Sequence, residues 1–400
     1  MSGMTDQVFK YLIIGRGMMG AAAARHLALQ SDGVALVGPD EPADKQSHEG
    51  VFASHYDEAR ITRTIDGDPV WAKLAHESIA RYNEIEQQSS IQFYHEAGCL
   101  IVGTSPDGHS DYVDRATRAA EGLGVTTQSF DHAGLAERFG YFRFEPVSKG
   151  IYEARRAGYV NPRRLVEAQA QLAVRAGATL ISDVAIGTRD EGGYVVVTTA
   201  GGKVLKAGRV LVAAGGFSIA DRLLPRRIDL SVYARTVTFF EIADQDLPAY
   251  HGMPSLIHEP SNPRDHIYLL PPVRYPDGKT YLKIGGDPDD VRLTSEPEIR
   301  AWFRGGGRES ARDHLARICR SLVPGVAQAP VSMAPCVTSF TGSGYPAIGF
   351  SDSPRIAVLT GGCGAAAKSS DEIGRLGAEL ILRGTIAHED YDADFTPVFV

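Results

Sequence analysis

Near the start of the chain, Gly15-Arg16-Gly17-Met18-Met19-Gly20 has the residue types and spacing of a turn that can hold a pyrophosphate. Gly15 permits the tight turn, Gly17 lets the backbone approach a phosphate, and Gly20 lets the next helix pack on the preceding strand. The elements that must position such a turn stand on either side of it. VFKYLII at 8–14 reads as a short buried strand, AAAARHLALQ after Gly20 as a helix, and residues 33–37 as a second strand. A βαβ unit of this kind aims free N–H groups and the positive end of the helix dipole at the phosphates. The turn therefore predicts dinucleotide binding, by FAD or by NAD. An acid to hold the adenosine ribose is expected at the end of the second strand. Instead Val37 runs into Gly38-Pro39, leaving Asp40 and Glu41 as the next carboxylates.

The chain has 400 residues, 43% hydrophobic and 22% charged, which suits two or three domains or one large α/β fold and opposes global disorder. With 41 basic against 49 acidic residues the net charge is −8, which opposes a phosphate-backbone binder. Nucleic acid is not an expected partner. Cys99, Cys319, Cys336 and Cys363 lie far apart with no CxxC pair, so neither a disulfide framework nor a metal site is expected. The N-terminus lacks signal-peptide features, and no stretch reaches the ~18 apolar residues of a membrane span. The expectation is a cytoplasmic protein without a membrane partner; its oligomeric state is not legible.

Along the rest of the chain, residues 69–89, 111–123, 162–177, 307–322 and 368–383 read as helices. Residues 98–103, 178–186, 194–199 and 210–214 read as strands, and strands at 236–242, 266–270 and 280–284 suggest an antiparallel sheet. A last strand at 356–359 enters a second glycine turn, Thr360-Gly-Gly-Cys-Gly364, which resembles the first. Both strands would belong to one parallel sheet that the chain leaves and re-enters.

Six motifs then occur in order: GRGMMG, SHYDEARITR at 54–63, VLVAAGG at 210–216, TYLKIGGD at 280–287, APCVTSFTGSGYPAIGF at 334–350 and LTGGCGAAAKSS at 359–370. Together they resemble the flavin amine oxidases of the D-amino-acid oxidase superfamily, in particular the monomeric sarcosine oxidase and N-methyltryptophan oxidase group. The resemblance implies an α/β, α+β-like two-domain fold. A discontinuous Rossmann-like FAD-binding domain would take residues 1–90, 150–222 and 330–385. A mainly antiparallel substrate domain would take 91–149 and 223–329, leaving 386–400 as a tail.

It also implies roles. FAD contacts fall on Gly15, Gly17, Met18, Met19, Gly20, Asp40, Ser54, Arg60, Val184, Ala214, Gly215, Gly362, Gly364 and Lys368, and Cys336 aligns with a cysteine that can carry FAD covalently. Arg60 matches an arginine near the flavin ring, and Lys283 a lysine that promotes reaction with O2. Arg63 and Lys368 match a pair that holds the substrate carboxylate, a task suited to a guanidinium and an ammonium. Tyr268 is a further substrate-binding candidate. Other pocket positions depart from the pattern: an active-site tyrosine appears as Leu269 and another as Thr338, and two histidines as Asp287 and Ala365. The implied activity is oxidation of an N-alkyl amino acid by hydride transfer to flavin, imine hydrolysis and reduction of O2 to H2O2. Alternatives are a fructosyl- or opine-type amino acid oxidase, an amine dehydrogenase using another acceptor, and a catalytically silent FAD-binding sensor.

Overall fold

The computed structural model describes residues 8–104 and 111–400. Its first large sheet has Val8–Ile14 at the centre, parallel to Val204–Val212 on one side and Val34–Val37 on the other, with Thr179–Ile181 beyond. Ile356–Thr360 joins the far end of Val204–Val212 in parallel, so distant parts of the chain share one sheet. Antiparallel strands Ala185–Asp190, Val195–Thr199 and Ala347–Phe350 complete it. The central strands are apolar along almost their whole length because helices cover one face and the core around Phe9, Leu12 and Phe217 covers the other.

Helices Met18–Ala28 and Ala366–Arg383 cross on that sheet. Their closeness explains the alanine run: a Cβ on Gly374 would stand 2.5 Å from Ala22 Cβ and 2.7 Å from Ala23 N. Larger residues at 21–24 would force the helices apart and move both of their N-termini.

The second sheet has nine strands among the described residues and is mostly antiparallel. Ser231–Ile242, Thr280–Gly285, Ile267–Arg274 and Ser255–Glu259 lie side by side, followed by Cys99–Thr104, which runs parallel to Ser255–Glu259, and Ser148–Glu153. Val331–Phe340 pairs along Ser231–Ile242 and so belongs to this sheet. A small third sheet places Arg60–Thr62 against Gly158–Val160.

Residues 69–89 form two helices, Pro69–Ala80 and Tyr82–Ser89, rather than one. The first begins where Pro69 follows Asp68, whose side chain accepts from Val70 and Trp71 N–H. Among the described residues, no helix is long and apolar enough to cross a membrane.

Candidate active site

A cavity of about 790 Å³ extends from the first glycine turn to the start of Ala366–Arg383, with walls from both large sheets. Helix Met18–Ala28 opens onto it from Gly17, with no side chain capping its first N–H groups. No atom lies within 4 Å of where a Cβ on Gly17 would stand, whereas one on Gly15 (φ +111°) would strike the Ala213 carbonyl at 2.3 Å. Gly20 packs inward against Gly15 and does not reach the cavity. Helix Ala366–Arg383 brings a second N-terminus without a side-chain cap, after Gly361-Gly362-Cys363-Gly364, to the same space. Two free helix ends suit a phosphate and an electron-rich ring.

Met18, Met19, Ser54, Val184, Ala214, Gly215, Gly362 and Gly364 line the cavity as well. Val184 N–H is held by Asp183 Oδ1 at 2.8 Å, and its carbonyl accepts from Ala200 N at 2.8 Å. Asp40 stands off the wall, exposed and paired with Arg16. The missing acid at the end of the second strand has a steric cause: a Cβ on Gly38 would lie 2.5 Å from Arg16 Cβ.

Arg60 lines the cavity beside Cys336. Its Nη2 donates to the Ser54 carbonyl at 2.9 Å and sits 3.6 Å from Cys336 Sγ. Its Nη1 pairs with Asp57, which also accepts from Lys283 Nζ at 2.7 Å and Tyr275 OH at 2.8 Å. Lys283 donates in addition to the Ala59 carbonyl. It is 1% exposed and does not line the cavity, its ammonium being turned to Asp57 and the Ala59 carbonyl. Burial, and then the Arg60 charge, hold it well below the usual lysine pKa.

Arg63 and Lys368 meet on another part of the wall, and a single carboxylate joins them. Asp66 Oδ2 accepts from Arg63 Nη1 at 2.7 Å and pairs with Lys368 Nζ at 3.1 Å. Lys368 also donates to the Trp71 carbonyl at 3.0 Å, and Arg63 Nη2 to Tyr112 OH at 3.2 Å. Burial lowers Lys368 to about 8 even though Asp66 opposes the shift. Burial would raise the Asp66 carboxyl, but Lys368 and Arg63 outweigh it and hold the group well below the ordinary range.

Tyr268 also lines the cavity, near Arg60, whereas Leu269 is wholly buried in the core beneath the sheet. The strand thus turns Tyr268, and not Leu269, to the cavity. Thr338, Asp287 and Ala365 do line the cavity. Thr338 Oγ1 accepts from Arg235 Nε at 3.1 Å, and Asp287 is held by Arg308 and the Thr236 N–H. Cys363, at φ +47°, has its thiol pushed up by burial.

Residues 10–380 match the family of FAD dependent oxidoreductases called DAO. The chain belongs to that family. Monomeric sarcosine oxidase from Bacillus sp. (strain NS-129) is 23% identical over 390 residues, covering 95% of each chain. NikD, described as an unusual amino acid oxidase essential for nikkomycin biosynthesis, superposes with a TM-score of 0.75 at 19% identity, covering 98% of both chains. The fructosyl amine: oxygen oxidoreductase Amadoriase I of Aspergillus fumigatus gives 0.72 at 19% identity, over 98% of this chain and 90% of that one. The protein is accordingly an FAD-dependent oxidoreductase of two-domain α/β fold, and the uncapped helix ends and the space at Gly17 suit that cofactor.

Asp57, Asp66, Tyr112 and Tyr275 were not singled out from the sequence. The two carboxylates left a signal there: Asp57-x-x-Arg60 and Arg63-x-x-Asp66 are mirror images about the strand Arg60–Thr62.

Proposed function

We propose that the protein oxidises an N-alkyl amino acid to an imine, which water hydrolyses to a carbonyl compound and a primary amine. The observation that carries this reading is the meeting of Arg63 and Lys368, two buried cations from opposite ends of the chain, on one cavity wall. In a dry site such a pair favours a carboxylate through charge-assisted hydrogen bonds. Bound FAD supplies the acceptor for hydride from the C–H beside the amine nitrogen and passes the electrons to O2, giving H2O2. Arg63 and Lys368 fix the amino acid by its carboxylate and so select the C–H presented. Tyr268, its phenol pushed up by burial, stays protonated and can donate from the wall. The Arg235–Thr338 and Asp287 wall is polar, which suits a larger polar N-substituent of fructosyl or opine type.

A dehydrogenase using another acceptor is the second reading, and the withdrawal of Lys283 from the cavity favours it. Anaerobic bleaching of the flavin by a panel of N-alkyl amino acids, followed by air, tests both. Rapid return of colour with peroxide supports the oxidase, and slow return with rapid reaction toward a dye supports the dehydrogenase. Silence across the panel overturns both and leaves the sensor. Covalent attachment at Cys336 predicts that colour stays with acid-precipitated protein and is released from the Cys336→Ser variant.

A further inference from the structure

The carboxylate subsite already contains a carboxylate. Arg63, Asp66 and Lys368 are 7%, 7% and 3% exposed, and all three line the cavity. With both bases protonated the cluster carries one net positive charge. The nearby Glu153 does not line the cavity; burial raises its carboxyl, against the Thr64 and Ile65 N–H groups that donate to its Oε2. The arrangement also has an unused donor. Asp66 takes the Nη1 side of the Arg63 guanidinium, while among the described residues the buried Nε has no partner. An orphaned buried donor is costly, and here it belongs to a cation on the cavity wall.

We propose that Asp66 is a specificity-determining residue that limits the subsite to one incoming negative charge. A single carboxylate neutralises the cluster by pairing with Arg63 and Lys368, with Asp66 retained. A second negative charge then meets Asp66 with no cation to balance it. The substrate class is an amino acid whose carboxylate end carries one charge. This rests on reading Arg63 and Lys368 as the carboxylate subsite.

The test uses holoenzyme and the visible flavin spectrum, titrated with malonamate and malonate, which have nearly the same shape but carry one and two charges. Wild type is expected to bind malonamate at least as tightly as malonate. Asp66→Asn keeps size and an acceptor oxygen, and is expected to tighten malonate by about tenfold or more and invert the order. Malonate bound tenfold more tightly than malonamate by wild type would overturn the proposal without any variant. So would an Asp66→Asn protein that keeps the wild-type order. Arg63→Gln should abolish both responses. If they survive that change, or if neither anion perturbs wild type, it is the underlying carboxylate subsite that fails.

Discussion

Two clusters of the same composition flank the short strand Arg60–Thr62, and they differ in what they face. Each joins an arginine of this segment to a lysine from far along the chain through one buried aspartate: Arg60, Asp57 and Lys283 in one, Arg63, Asp66 and Lys368 in the other. In the first, Asp57 and Lys283 lie off the cavity, and Asp57 spends its oxygens on three side chains and the Glu58 N–H. In the second, all three members line the cavity and Arg63 keeps one unspent donor. The same charges therefore do different work. A closed cluster holds a cation in place, whereas an open one can exchange or add an anion.

The largest expected effect tests that distinction by stability. Asp57→Asn leaves the buried Lys283 and the partly buried Arg60 without their shared anion and should cost ~3–5 kcal/mol. Added acetate should not restore the melting temperature, because the cluster is closed. Asp66→Asn should cost less, and acetate should recover part of the loss. Recovery in both variants, or in neither, would remove the distinction between the clusters.

Affinity is the next contrast. Lys368→Met should weaken binding of simple carboxylates to the holoenzyme on the order of 100-fold, the usual scale for losing one partner of a buried charge pair. Lys283→Met should leave that affinity unchanged. It should instead slow reaction of the reduced enzyme with O2 by about tenfold or more, with anaerobic reduction by substrate preserved, because Asp57 links it to Arg60 on the cavity wall. An unchanged O2 reaction would make Lys283 a structural partner of Asp57 and strengthen the dehydrogenase reading.

These contrasts also mark what the sequence could convey. The βαβ start and the paired glycine turns were legible, because glycine geometry leaves strong local marks, and motif order picked out the four cations that the two clusters share. Their partners were harder to see. Asp57 and Asp66 carry no local mark that lysines more than 200 residues away will reach them. Facing was lost as well. Ile267–Arg274 has a register shift between Leu270 and Val273 against its neighbour, and the alternation that puts Tyr268 on the cavity and Leu269 in the core is set by that pairing. The resemblance puts residues 330–385 in the cofactor domain, and within that stretch Val331–Phe340 pairs along Ser231–Ile242, about a hundred residues earlier.

The smallest effect concerns pH and gives affinity and stability opposite signs at Lys368. Lys368 titrates at about 8 in the folded chain, below its ordinary value of 10.5. A carboxylate prefers the ammonium, so affinity should be flat below pH 8 and fall by up to about tenfold per unit above it. Stability moves the other way. Between pH 8 and 10.5 the unfolded chain holds the proton that folded Lys368 has lost, so this residue's contribution to stability rises with pH across that window. Carboxylate titrations and melting curves at pH 7 to 10, compared between wild type and Lys368→Met, read both trends. Lys283→Met should retain the fall in affinity, because Lys283 does not line the cavity. If that variant instead flattens the affinity profile, the two clusters are electrically coupled and must be treated as one site.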